Sequence, residues 1–140
     1  MKKVYNVKET SKLTNLSVHT IRYYTDKGLV PNLIRDEYNQ RVFDDESIDW
    51  LKGIKYLREL GMSLEDIRIF IECCIKDDQE SLNKRVEIFE HQLNKAKEEL
   101  ENAKQRVAYL ERKTAEHKNY AARLAIDKGN PAKKNYNKGE

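Results

Sequence analysis

The stretch from Leu13 to Leu29, LTNLSVHTIRYYTDKGL, decides the fold. It reads as the turn and second helix of a helix-turn-helix. Leu13, Leu16, Val18 and Ile21 are expected to pack inward. Ser17 stands where a helix starts, its hydroxyl free to accept an orphan N–H of the first turn. Gly28 stops that helix in a left-handed conformation that costs glycine least. Between cap and stop lie His19, Thr20, Arg22, Tyr23, Tyr24 and Lys27, a polar, basic and aromatic face. On a helix entering a major groove, Arg and Lys suit phosphates or guanine, while His, Thr and Tyr suit base edges and backbone. Two-helix units with a short turn also occur in proteins that never touch DNA, so the flanking stretches carry the decision.

Upstream, within residues 4–15, Asn6 followed by Glu9 resembles a capping box, and Val7, Leu13 and Leu16 supply apolar positions for a short first helix. Thr10 and Ser11 keep its packing close. Downstream, Val30-Pro31 bars further helix. Leu33-Ile34-Arg35 and Gln40-Arg41-Val42-Phe43 read as two short strands joined by Asp36-Glu37-Tyr38-Asn39, with Asn39 suited to a left-handed turn position. So small a hairpin is marginal alone and has to lean on the helices. Arg35 and Arg41 then project from a wing beside the second helix. A third helix begins at Asp44 or Asp45, with Ile48, Leu51, Ile54, Leu57 and Leu60 as its apolar face and Trp50 and Tyr56 adding bulk. Gly61 ends it. Ser63 caps a fourth, whose stripe is Leu64, Ile67, Ile71 and Ile75 with Phe70 beside it.

From about Glu80 the period changes. Leu82, Val86, Phe89, Leu93, Ala96, Leu100, Ala103, Val107, Leu110, Thr114 and His117 alternate steps of four and three, the seam of a coiled coil. About 38 residues make a rod of roughly 57 Å at 1.5 Å per residue. One such helix per chain implies a second copy as its partner, a homodimer. Volumes favour antiparallel pairing. In parallel, Phe89 would crowd its own copy and Ala96 and Ala103 would leave thin layers. With Leu100 opposite Ala103 of the partner, large residues mostly meet small ones. Beyond about Leu124, Gly129, Pro131, Gly139 and scattered Lys and Asn read as a flexible end. The expected division is 1–75 for the helix-turn-helix and wing, 76–124 for the coiled-coil helix and 125–140 for a flexible basic tail.

Composition agrees. The 140 residues are 39% hydrophobic and 36% charged, too polar for one tight globule and suited to a small core with a long solvated helix. The net charge is only +3, but it is unevenly spread: residues 1–43 hold eight Lys/Arg against four Asp/Glu, residues 44–75 four against eight, and residues 118–140 six against two. A basic front end beside acidic helices is a local footprint for a polyanion. No apolar run reaches the length of a membrane span and the N-terminus lacks a signal-peptide core, so a cytoplasmic chain without a membrane partner is expected. The adjacent Cys73 and Cys74 make no intrachain disulfide framework, as in a reducing compartment.

Taken together, Tyr5-Asn6-Val7, Leu16-Ser17-Val18-His19-Thr20-Ile21-Arg22-Tyr23-Tyr24, Gly28-Leu29-Val30-Pro31, Arg41-Val42-Phe43 and Leu57-Arg58-Glu59-Leu60-Gly61-Met62-Ser63-Leu64-Glu65-Asp66-Ile67 resemble the MerR family of bacterial transcription regulators. The likeness runs in register through residues 4–75, and the coiled coil matches the family's dimerisation helix. The resemblance implies a mainly α, winged helix-turn-helix dimer joined by a long antiparallel coiled coil. It implies binding to a pseudo-palindromic operator in double-stranded promoter DNA with an overlong spacer, distorted so that RNA polymerase can use it. By the same analogy His19, Arg22 and Tyr23 reach bases or nearby backbone, and Tyr24, Arg35 and Arg41 hold phosphates or brace the wing. Many members carry Gly-Tyr-Arg at the wing tip where this chain has Asn39-Gln40-Arg41. Gln40 thus stands at the usual tyrosine, and Tyr38 lies across the turn.

Other chemistry finds little footing. A thiolate metal site needs several converging ligands, and Cys73 and Cys74 are joined only by His19, His91 and His117 at scattered positions. Adjacent helical residues diverge by about 100°, so at most one cysteine faces the core. No nucleophile–base pair, phosphate-cradling glycine loop or carboxylate dyad is present. Neither an enzyme, a metal nor a cofactor is expected, and no residue pattern assigns an effector. Two functions stay open on the residues alone: a DNA-binding regulator, and a coiled-coil adaptor whose helix-turn-helix makes protein contacts.

Overall fold

The computed structural model describes residues 3–136. Gly139, in the expected tail, lies outside them. In chain order the elements are α1 (Val7–Thr14), α2 (Val18–Asp26), β1 (Ile34–Arg35), β2 (Arg41–Val42), α3 (Asp45–Glu59), α4 (Leu64–Lys76) and α5 (Gln79–Ala121), followed by a 3-10 turn at Pro131–Lys133. The helices start where side chains satisfy their orphan N–H groups. Asn6 and Glu9 form a reciprocal capping box on α1. Ser17, Asp44 and Ser63 accept the third N–H of α2, α3 and α4. Such caps contribute about 0.5–2 kcal/mol each.

Two helices stop in the same way. Gly28 and Gly61 have φ of +72° and +88°. After α2, Gly28 N–H donates to Thr25 and Leu29 N–H to the Tyr24 carbonyl. After α3, Gly61 donates to Arg58 and Met62 to Leu57. This double bond is the Schellman motif, and the residue after each glycine is swept into the core. Leu29 is 2% exposed and Met62 fully buried. Arg58 Nη1 adds a bond to the Met62 carbonyl at 2.7 Å.

The first unit ends at Leu93, and the second begins at Asn94. In the first, α1 packs on α2 and α3, and α3 on α4, around Ile21, Phe43, Leu51, Ile54, Met62 and Ile67. Some expected core positions lie outside it: Leu13, Tyr56, Leu60 and Ile75 are exposed. On α1 the buried stripe is the threonine pair Thr10 and Thr14, which brings backbones close and leaves Leu13 one step round the helix. The hairpin is antiparallel, with Ile34 opposite Val42 and Arg35 opposite Arg41. It leans on the chain start through a bridge between Tyr5 and Phe43, with N–H to carbonyl distances of 2.7 and 2.8 Å. Asp44, fully buried, accepts from Ser47 N–H and Asn32 Nδ2 at 2.9 and 3.0 Å, so one carboxylate caps α3 and pins the loop after α2.

The first turns of α5 belong to this unit. Ser81 and Ile88 are buried, with Arg85 and Gln92 half-buried along the same stripe. The Phe70 and Phe89 rings meet edge to face at 5.4 Å, with the Arg85 guanidinium 5.1 Å from the Phe70 ring centre. Asp78 starts α5 by accepting the Ser81 N–H at 2.8 Å, and hydrogen bonds from Ser81 hold its carboxyl below the usual aspartate range. The neighbouring stripe, Leu82, Val86, Phe89 and Leu93, is exposed.

In the second unit α5 runs on to Ala121. Leu100, Val107 and Leu110 are each more than half exposed. The helix ends in another Schellman pattern, with Arg123 donating to Tyr120 and Leu124 to Asn119, but an arginine holds the left-handed position. The chain beyond keeps local order. Asp127 accepts the Gly129 N–H and Asn130 caps the 3-10 turn.

Candidate nucleic-acid interface

The turn between α1 and α2 is closed by short-range hydrogen bonds. Ser11 donates to the Leu16 carbonyl at 2.5 Å. The Thr14 hydroxyl donates to the Thr10 carbonyl at 2.8 Å and accepts from Leu16 N–H at 3.3 Å. Asn15 takes the left-handed conformation between them, with φ 58°. With this corner fixed, α2 buries Ile21, Tyr24 and Thr25 and turns the opposite side outward.

That outer side is a single stripe. His19, Arg22, Tyr23 and Lys27 are all exposed, and at helical spacing they follow one another along one face. Lys27 Nζ sits 5.6 Å from the Tyr23 ring centre, a contact that sets both side chains on the same edge. Thr20, also expected on this face, is occupied at the helix start by the cap residue Ser17. Ser17 caps Thr20 N–H and donates its own proton to the Thr20 hydroxyl at 2.8 Å. Tyr24 is a correction: at 8% exposure it belongs to the core. Consecutive helical residues point about 100° apart, so the adjacent tyrosines divide, one out and one in.

The wing is organised by Asp36. Its carboxylate accepts the N–H groups of Tyr38 and Gln40, each at 2.9 Å. Asn39 is left-handed at φ 61°. Tyr38 is the most open aromatic here, 75% exposed, and Gln40 is exposed beside it. Neither wing arginine projects freely. Arg35 Nη1 donates to the Asn39 carbonyl at 3.0 Å. Arg41 Nη2 lies 2.5 Å from the Asp26 carboxylate, and its side chain is only 20% exposed. Arg41 therefore ties β2 to the end of α2, a correction to its expected place as an outward basic arm. Nothing in the sequence pattern singles out Asp26, because a lone acid on a basic face carries no periodic signal.

The remaining features are quiet. Cys73 is buried and Cys74 half-buried. Burial pushes the Cys74 thiol up, against the opposing pull of Arg85, which disfavours the reactive thiolate. Among the described residues no group of three or more His, Cys, Asp or Glu converges as a metal site, and no helix is long and apolar enough to cross a membrane.

Comparison with known proteins agrees with this geometry. Residues 5–72 match the MerR HTH family regulatory proteins. An HTH-type transcriptional regulator of Haemophilus influenzae is 36% identical over 111 residues, covering 79% of this chain and 82% of the relative. The crystal structure of HiNmlR, a MerR family regulator lacking the sensor domain, bound to promoter DNA, aligns with TM-score 0.69 at 33% identity, over 89% of this chain and 93% of that one. The chain belongs to the MerR family. It is a DNA-binding transcription regulator of mainly α architecture, a winged helix-turn-helix followed by a long helix. A MerR family regulator from Listeria monocytogenes has the same arrangement, at TM-score 0.63 and 28% identity over 86% of this chain and 88% of that one.

Proposed function

We propose that this MerR-family chain binds a pseudo-palindromic operator in double-stranded promoter DNA as a homodimer and distorts the spacer to control initiation by RNA polymerase. The observation that carries the proposal is the open stripe His19, Arg22, Tyr23 and Lys27 on α2, flanked by the wing. His19, Arg22 and Tyr23 read base edges in the major groove, and Lys27 takes a neighbouring phosphate. Tyr38, Gln40 and Arg35 meet the backbone at the wing. Ser17, Thr20 and Tyr24 hold α2 at its angle, and Arg41 holds the wing. That HiNmlR was crystallised on promoter DNA supports the same use of this surface.

The exposed seam of α5 supports antiparallel pairing: Leu82, Val86, Phe89, Leu93, Ala96, Leu100, Ala103, Val107, Leu110, Thr114 and His117 become the dimer interface. The heads then sit at opposite ends of the coiled coil, one per half-site. We read the chain as cytoplasmic, working without catalysis or cofactor, with 1–75 as DNA-binding region and 76–124 as dimerisation helix. Engaging two half-sites with one dimer obliges the DNA to adapt, and bending such a site costs on the order of 1–6 kcal/mol. Footprinting on the native promoter, with circular-permutation gels, tests this. Two protected half-sites flanking a hypersensitive, bent centre are expected. A single protected half-site or a straight spacer overturns it.

A further inference from the structure

We propose that Asp26 is a specificity-determining residue of the DNA-binding surface: by holding Arg41 it keeps that arginine off the DNA backbone and fixes the wing to α2. The inference rests on the DNA-binding mode proposed above and gives a part to a residue which that mode leaves out. Asp26 is the sole acidic residue of α2. It lies four residues after Arg22 and three after Tyr23, and so shares their outer side. Its side chain is 62% exposed. A carboxylate open to solvent on a surface meant for a polyanion repels it unless a cation answers the charge.

The answering cation is Arg41, and Asp26 is what holds it. Among the described residues Asp26 is the one hydrogen-bonded acceptor of this guanidinium, and Arg41 Nε is buried without a hydrogen-bond partner. Arg35 stands directly opposite Arg41 across the hairpin, where like charges repel, and Arg35 is itself turned back on the Asn39 carbonyl. Without the Asp26 carboxylate the Arg41 guanidinium is pushed off the hairpin beside the surface assigned to DNA. The two states of Arg41 act differently on binding. Freed, it adds a phosphate contact, which strengthens every duplex alike because phosphates carry no sequence. Tied, it adds none, but it joins β2 to the end of α2. The hairpin has two residues in each strand and is marginal alone, so this tie governs where the wing sits. An operator has to meet α2 and the wing at one fixed spacing, whereas random DNA offers phosphates in any register. Asp26 thus favours discrimination over affinity.

Binding of the full chain to the footprinted operator and to a scrambled duplex, across a salt series, tests this with wild type, Asp26→Ala and Asp26→Ala/Arg41→Ala. Asp26→Ala is expected to bind the scrambled duplex more tightly. Its slope of log affinity on log salt should steepen by about 0.9 for each head engaged. The ratio of operator to scrambled affinity should fall by about threefold, the scale of one solvent-screened ion pair. In the double variant the slope should return to the wild-type value while the ratio stays low, because the tie is still missing. An Asp26→Ala slope equal to that of wild type means that Arg41 finds no phosphate. A steepening that persists in the double variant means that bulk charge alone is responsible. Either result, or an unchanged ratio, overturns the proposal and leaves the DNA-binding reading standing. A wild type with a flat salt response and no preference for the operator removes that reading, and the part of Asp26 with it.

Discussion

Arg22 and Tyr23 stand at the centre of the exposed face of α2, where base reading is proposed for them. Arg22→Ala and Tyr23→Ala should each weaken operator binding more than binding to random duplex, because a good bidentate base contact carries about 1–3 kcal/mol of discrimination. Fluorescence anisotropy on both DNAs measures this, and an equal loss on the two would reduce these residues to backbone contacts. Arg41 is expected to behave differently. Its guanidinium is committed to Asp26 at 2.5 Å, in a pair whose carboxylate stays open to solvent, so screening holds its contribution to about 1 kcal/mol or less. Arg41→Ala should lower affinity for every duplex while leaving the slope of log affinity on log salt unchanged. A slope shallower by about one unit would mean that the arginine leaves Asp26 for a phosphate.

The elements were legible wherever a residue type admits few conformations. Asn6, Ser17 and Ser63 mark helix starts and Gly28 and Gly61 mark stops, each as in the structure, and of the two aspartates open for the start of α3 it is Asp44 that caps. The stops make a sharp prediction. Gly61→Ala should cost about 1–2 kcal/mol, the penalty of a Cβ in a left-handed residue. Gly53→Ala, in the middle of α3 with open space at its Cβ, should add about 0.5–1 kcal/mol. Thermal unfolding followed by circular dichroism measures both. Equal and same-signed shifts would contradict the conformational origin of the stop. What periodicity concealed was the division of labour within a helix. Ile88 is the single strongly apolar member of the stripe that α5 turns to the head, so the seven-residue seam beside it hid that contact. Asn15 closes the corner of the helix-turn-helix without any glycine to announce it. The Asp26–Arg41 tie joins residues distant in sequence, and only folding brings them together. Tyr24 looked like its neighbour Tyr23 because both are amphipathic; burial separates them.

At the scale of the whole molecule, the charge pattern and the fold tell one story. Among the described residues, Lys8, Lys12, Arg22, Lys27, Arg35 and Arg41 lie on the helix-turn-helix and wing, and the acidic excess of 44–75 lies on α3, α4 and the approach to them. The proposed dimer would present the basic surface twice. Its binding to DNA is then expected to have a sequence-independent part, which releases counterions, and a sequence-reading part that the proposal assigns to α2. Equilibrium binding of the wild-type protein to its operator and to a scrambled duplex of equal length, across a series of salt concentrations, separates the two in one measurement. A steep negative slope is expected on both DNAs, about −0.9 per phosphate neutralised, with the operator bound more tightly throughout. A flat response to salt, or equal affinity for operator and scrambled DNA, would contradict it.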